Sequence, residues 1–433
     1  MRQAFTFLHR WVGLIIAGFL FVSGLTGAVI SWDHELDEWL NPHLTEARAS
    51  GPALPALDLA AQVEARDPRV LAAYVPLSPD PGEALSVFVQ PKVDPATGRL
   101  FEPGYNQVFL EPATGGELGR REWGQAWPVT RETLVSFLYK LHYTLHIPAL
   151  WGIDRWGVWL LGGVAVLWTF DCFVGFYLTL PARRAARPGR DAAVERQLAR
   201  GFWARWAPAW RIKPGGSAYR TAFDVHRAFS LWTWALLLTV AFTGFSLNLY
   251  REVFLPVMST VSTLTPTPFS ERRPTPLHAP IEPRLGMADA LALGRAEAER
   301  RGWETPAGAV SYAPRYGFYS VRFFPPGDDH GAAGVGPAML FFDSGDGRYL
   351  GDRQPWVGTA ADIFVQAQFP LHSGRILGLP GRILISAMGL VVAALSATGV
   401  VIWWRKRRAR VAAGKRRAAG AADVRPAALM PAE

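Results

Sequence analysis

Hydrophobic residues in this chain gather into four long blocks: Val12–Ser31, Trp156–Leu180, Ala228–Leu249 and Ile383–Trp404. None holds Lys, Arg or Glu, and Asp171 is the one charged residue inside them. A hydrocarbon core of about 30 Å takes roughly 20 apolar residues in helical form, so each block predicts a membrane-spanning helix. The polar segments between blocks follow other periods. "LDLAAQVEARDP" and "GMADALALGRAEAERRG" have helical spacing and stop at Pro or Gly. "ALSVFVQP", "NQVFLEP", "FYSVRFF" and "AMLFFDS" are rich in Val and Phe and bounded by turn formers, which predicts short antiparallel strands. Pro266–Arg284 reads as a proline-rich connector. Gly327–Pro337 reads as a loop, because no strand–turn–helix setting makes its glycines a phosphate cradle.

The pattern occurs twice. "HRWVGLIIAGFLFVSGLTGAVIS" from His9 and "HRAFSLWTWALLLTVAFTGFSLN" from His226 both open on His-Arg and reach Thr-Gly at the same distance, Thr26-Gly27 and Thr243-Gly244. "VFLEPATGGELG" (Val108–Gly119) lines up without gaps on "LFFDSGDGRYLG" (Leu340–Gly351), and "LHIPALWG" (Leu145–Gly152) on "LHSGRILG" (Leu371–Gly378). The expected fold is therefore an α-helical membrane protein with four transmembrane helices as two parallel repeats. An α+β segment follows the first helix of each repeat, and a pseudo-twofold axis along the membrane normal relates the copies.

Composition supports the membrane and charge orients it. Half of the 433 residues are hydrophobic, with 18 Trp and 25 Phe, more than a soluble domain usually carries. The net charge of +9 clusters in three places. Arg2 and Arg10 flank the first block. Arg183, Arg184, Arg187, Arg190, Arg196, Arg200, Arg205, Arg211 and Lys213 lie between blocks two and three, and Arg405, Lys406, Arg407, Arg408 and Arg410 follow block four. With alternating spans all three clusters fall on one side, which the positive-inside rule makes cytoplasmic. The basic charge thus marks topology rather than nucleic-acid binding. Both termini are expected in the cytoplasm and the long loops, Trp32–Arg155 and Tyr250–Arg382, outside. The first block is expected to stay as an uncleaved anchor. A single cysteine, Cys172, rules out an intrachain disulfide, and no CxxCH haem attachment or thiolate zinc site exists.

Five of the nine histidines sit at block entrances: His9, His142, His146, His226 and His372. His9 and His226 are repeat-equivalent at the inner ends, and His146 and His372 at the outer ends. A twofold axis makes each pair face across it, the arrangement a six-coordinate b-type haem needs. Two haem b groups per chain are predicted, one near each leaflet. His142 lies one helical turn before His146, so either could be the axial ligand; the repeat favours His146. Arg10 and Arg227 stand beside the inner histidines as candidate propionate partners, with Lys140, Arg375 and Arg382 outside. Gly13, Gly18, Gly24, Gly27, Gly162 and Gly163 fit a porphyrin lying close to the backbone or close helix packing equally well. Asp171 reads either as a snorkelling carboxylate or as a partner of a histidine or Tyr177. His34, His43, His278 and His330 read as solvated loop residues. Zinc or copper would want histidines close together with carboxylate or sulfur neighbours, whereas these pairs are separated by most of a membrane.

These motifs, "LHRWVGL…SGLTGAV", "LHYTLHIP…WG", "DVHR" and "LHSGRILGLPGR", resemble the PepSY-associated transmembrane family of iron-regulated bacterial membrane proteins over about residues 5–408. The resemblance implies PepSY-like periplasmic segments at 32–130 and 250–365. The implied layout adds a span over 1–31, an entry helix and span over 131–182, a basic cytoplasmic loop over 183–222 and a span over 223–249. An entry segment and span over 366–404 and a basic disordered tail over 405–433 complete it. It further implies an inner-membrane reductase that passes electrons to periplasmic ferric siderophore and releases Fe(II). The donor would be a quinol or another protein, since no flavin or nicotinamide fingerprint is visible. Expected partners are the lipid bilayer and the chelate, with no nucleic acid; a homodimer stays open. The alternatives are a non-catalytic PepSY protein that binds or senses an envelope partner, and a component of siderophore or haem transport.

Overall fold

The computed structural model describes residues 1–181 and 201–423. Arg183, Arg184, Arg187, Arg190, Arg196 and Arg200 of the expected basic loop, and the tail from residue 424, lie outside the described residues. The chain divides into a helical unit (Met1–Ala28, Leu161–Phe245 and the chain from Ala387 onward) and a sheet-bearing unit (Val29–Leu160 and Ser246–Ser386).

Among the described residues, three helices are long and apolar enough to cross a membrane, and a fourth span exists if a bent pair counts as one. These are α1 (Arg2–Ile30), α5 (Trp156–Thr179), the pair α6 (Ala218–Trp232) and α7 (Trp234–Asn248), and α10 (Gly378–Asp423). Ile15, Phe170, Phe173 and Leu390 are more than half exposed, as helices facing lipid require. Within the helical unit Cys172, Leu237, Ala241, Met388 and Val392 form one core. A Cβ on Gly24 would come within 2.7 Å of the Gly389 carbonyl oxygen, and one on Gly389 within 2.4 Å of Gly24's, so these two glycines let α1 and α10 touch backbone to backbone. Gly24 is thus a packing residue, while nothing stands within 4 Å of the Cβ positions of Gly13, Gly18 and Gly163.

Two expectations need correction. The block Ala228–Leu249 is not one straight span: it breaks at Thr233 by 75°. At the break the Thr233 hydroxyl donates back to the Phe229 carbonyl at 2.7 Å, a bond that Thr169, Thr239 and Thr243 also make within continuous helices. The tail after Arg405 is helical through Asp423 instead of disordered, because Ala, Lys and Arg are strong helix formers.

In the other unit the two α+β segments are halves of one sheet. The strands are β1 (Val70–Pro76), β2 (Leu85–Pro91), β3 (Gln107–Leu110), β4 (Glu117–Arg121), β5 (Ala307–Ala313), β6 (Phe318–Phe323), β7 (Ala338–Asp343) and β8 (Tyr349–Arg353). They run β4-β3-β2-β1-β5-β6-β7-β8, antiparallel throughout. The seam pairs Tyr74 with Ser311, Val75 with Val310 and Pro76 with Ala309. Helix α3 (Ala56–Arg66) buries Leu59, Ala60 and Val63 with Val70, Val87 and Leu110. In the second half α8 (Met287–Arg300) buries Ala290, Leu291 and Ala298 with Val310, Val321 and Leu340. Helices α2 (Asp33–Leu40), α4 (Leu134–Thr144) and α9 (Ala360–Ser373) also belong to this unit, among shorter helical turns.

The turn from α3 into β1 is tied by Asp67, whose Oδ2 accepts from Arg69 Nη2 at 2.7 Å and from the Tyr105 hydroxyl at 2.9 Å. The Arg69 guanidinium holds the Asp67 carboxyl well below the usual carboxylate range. A depressed pKa stabilises the fold above the unfolded value of about 3.9 and loses that stabilisation as pH falls further. Thermal melting followed by circular dichroism is therefore expected to show stability dropping below about pH 4. Asp67→Asn should lower the melting temperature at pH 7 and flatten part of the acid limb; an acid limb identical to wild type would count against this role.

Candidate functional site

Among the described residues, two of the histidine ring pairs join histidines at the ends of the apolar blocks, one pair in each unit. In the helical unit His9 on α1 and His226 on α6 have ring centroids 6.2 Å apart at an interplanar angle of 56°. In the sheet-bearing unit His142 on α4 and His372 on α9 stand 6.0 Å apart at 58°.

The first pair is held from behind. His9 Nδ1 lies 2.9 and 3.0 Å from the two carboxylate oxygens of Asp171 on α5, and the ring donates to them. His226 Nδ1 lies 3.0 Å from the Leu395 carbonyl and 3.1 Å from Thr398 Oγ1, both on α10. A carbonyl only accepts, so Nδ1 of His226 carries the proton and Nε2 keeps its lone pair. The same logic applies to His9 beside a carboxylate. Glycines bring the backing helices close: a Cβ on Gly175 would stand 3.5 Å from His9 Cε1, and one on Gly399 would stand 3.4 Å from His226 Cε1. Four residues before each glycine comes the group that holds Nδ1, the Asp171 side chain in one repeat and the Leu395 backbone in the other.

Both rings line a cavity of about 820 Å³, within the ~300–1,000 Å³ usual for cofactor sites. Leu14, Leu20, Trp168 and Leu237 contribute apolar wall, and Arg2, Arg10, Arg227 and Lys406 contribute cationic groups. Arg227 is also committed elsewhere, donating to Asp224 Oδ1 at 2.9 Å and the Pro208 carbonyl at 2.7 Å.

The second pair departs from the repeat. His146, expected opposite His372, is replaced there by His142. Helix α4 ends at Thr144, and Leu145 and His146 take left-handed backbone (φ 54° and 51°). That turn swings the His146 ring onto Phe137, stacked at 4.5 Å, with Nε2 2.9 Å from the Phe137 carbonyl. Its Nε2–H is thereby spent on the backbone. In the second repeat α9 continues through Ser373, so His372 stays on the helical path. Of the expected outer cations, Arg375 lies 3.7 Å from Asp33, and Arg382 pairs with Glu35 at 2.7 Å and donates to the Ser31 carbonyl. The Lys140 stem would stand 3.0 Å from a Cβ on Gly124. His43 is not simply solvated: its Nε2 pairs with Glu132 at 2.7 Å.

The centroid separations match those of two rings sharing one metal. Imidazole–metal bonds of about 2.0 Å, plus about 1.1 Å from each nitrogen to its ring centre, would put two imidazoles on opposite sides of one iron roughly 6.2 Å apart between centroids. Both observed separations lie within a few tenths of an ångström of that. Reasoning from the sequence alone left Asp171 undecided and missed Leu395, Thr398, Gly175 and Gly399. In the first repeat a glycine four positions after an intramembrane acid, Gly175 after Asp171, was the available signal; Gly399 follows apolar Leu395 and offered none.

The family model described as PepSY-associated TM region matches residues 6–406 of the chain. No curated protein matches it.

Proposed function

The chain belongs to the PepSY-associated transmembrane family, and from that premise we propose that it is a haem-carrying membrane reductase. In this reading electrons pass outward across the bacterial inner membrane to a periplasmic ferric siderophore, and Fe(II) is released. The observation that carries it is the pair of ring separations, 6.2 and 6.0 Å, each suited to one bis-histidine haem b. Bound there, haem supplies one-electron transfer at an iron with no open coordination position. Oxidation of one quinol to quinone, with release of two protons, balances reduction of two ferric ions.

The residues have separable tasks. His9 and His226 would hold the haem iron through Nε2, and Asp171, Leu395 and Thr398 fix their tautomers and ring planes. Arg10 and Arg227 place positive charge along the cavity wall, where propionates would need it. His142 and His372 serve the second group. The N- and C-termini are assigned to the cytoplasm and the sheet to the periplasm on the positive-inside rule.

The break at Thr233 favours a second reading, transport of a chelate or of haem, because broken helices line many transporter sites. One spectrum separates the two. Detergent-purified protein is recorded air-oxidised and dithionite-reduced, with haem counted as pyridine haemochrome. Sharp reduced α and β bands with about two haems per chain are expected. A colourless protein after haem supplementation would defeat the reductase and leave transport, binding or sensing.

A further inference from the structure

The sheet-bearing unit carries a third histidine cluster that the electron path does not use. His34 on α2 meets Asp329 and His330, which lie in the loop between β6 and β7. One ligand atom from each of the three falls within 4.8 Å of the others. The His34 and His330 rings stand 5.3 Å apart, and His330 Nδ1 lies 2.5 Å from Asp329 Oδ1. His34 and Asp329 are exposed and His330 half-buried, so the cluster is open to solvent.

The cluster is built on anchored backbone from both sides. His34 is bracketed by Asp33, 3.7 Å from Arg375, and by Glu35, paired with Arg382 at 2.7 Å. The loop that carries Asp329 and His330 is pinned at several points. Arg353 Nη2 donates to the Val335 carbonyl at 2.8 Å, Trp356 Nε1 to the Ala332 carbonyl at 3.0 Å, and Gly336 N to the His330 carbonyl at 2.7 Å. A Cβ on Gly334 would stand 2.4 Å from the Arg375 stem, so the loop packs on the residue three positions after His372. The glycines of this segment shape the loop.

Charges of both signs surround the cluster, with Arg375 acting on Asp329 and the acidic Glu38 and Glu83 near His34. Glu38 is held above its ordinary range by burial and by repulsion from Glu83, and Glu83 by burial and by repulsion from Asp80, while His34 acts on both in the opposite sense. Two imidazoles and one carboxylate, with further positions open, form the donor set that suits divalent first-row ions, non-haem Fe(II) among them. Ligand atoms around one such ion stand roughly 3 Å apart, so the cluster needs only side-chain rotation to close. A bound cation would take the place of the proton between Asp329 and His330.

We infer that His34, Asp329 and His330 form a surface site for a divalent first-row transition ion, and that it receives the Fe(II) released by reduction. Only the identity of the arriving ion rests on the reductase reading; the donor set stands apart from it.

The test is Co(II) titration of full-length, tag-free protein in detergent micelles, followed by visible d–d absorption, with haem counted on the same samples. Wild type is expected to bind one Co(II) that His34→Ala and His330→Ala each weaken at least tenfold, and Asp329→Asn less, with haem content unchanged. Co(II) affinity within twofold of wild type in the His34→Ala/His330→Ala double variant would overturn the inference. Cobalt binding lost with the variants in a haem-free protein would uphold the site while defeating the reductase. If His330→Ala disturbs the loop, His330→Gln keeps its bulk and polarity, and the same tenfold loss is expected.

Discussion

His142→Ala is expected to lose one of the two proposed haems from each chain, while His146→Ala keeps both. The difference follows from one turn of backbone. His142 is still inside α4 and faces His372 at 6.0 Å, whereas His146 has left the helix and donates Nε2–H to the Phe137 carbonyl. A ligand lost from a bis-histidine site leaves a five-coordinate iron, whose b-type haem is weakly held. Pyridine haemochrome counts of about one per chain for His142→Ala and His372→Ala, against about two for His146→Ala, are the expected result. His226→Ala should also give about one, and combining it with His372→Ala should remove the spectrum. Full haem in His142→Ala with a deficit in His146→Ala would restore the repeat-symmetric pairing and overturn the assignment.

Asp171→Asn is expected to raise the midpoint potential of one haem and leave the other in place. A carboxylate accepting from His9 Nδ1–H pushes electron density onto the ring, which stabilises ferric over ferrous iron; an amide oxygen in the same position does so much less. Changes in such outer partners typically alter a metal site by about 10–100-fold, which for a one-electron couple is roughly 60–120 mV. Potentiometric titration of the variant should resolve one unmoved transition and one shifted upward by that amount. Asp171→Leu should do worse, since it leaves Nδ1–H without an acceptor, and should lower haem occupancy as well. Two unmoved transitions in Asp171→Asn would mean that the carboxylate only fills space.

Much of this was open to inspection in the primary structure because it depends on periodicity. The apolar blocks, the two helix-plus-strands segments and the opposed His9 and His226 all follow from spacing. What stayed hidden depends on contacts between distant segments or on unusual backbone. Left-handed Leu145 and His146 carry no compositional mark, since glycine usually supplies such angles. The 75° break at Thr233 has no Gly or Pro beside it to mark it in the sequence. Asp171 was visible as an intramembrane acid, but its partner, His9, lies 162 positions away. His34 and His330 each read as ordinary loop residues and become a pair only through tertiary structure. The shared sheet was hidden for the same reason: strand pairing across β1 and β5 leaves no mark in either strand.

That seam also sets a schedule for biogenesis. Strand β1 leaves the ribosome roughly 230 residues before β5, and at about 5–20 residues per second its hydrogen-bonding edge waits on the order of 10–50 s. During that interval α5 and the bent pair α6–α7 are synthesised, and the open edge is available to any neighbouring nascent chain. Production of the protein should thus be limited less by membrane insertion than by keeping early chains apart until the second half arrives, and slower initiation or a holdase acting on the open sheet would raise the yield.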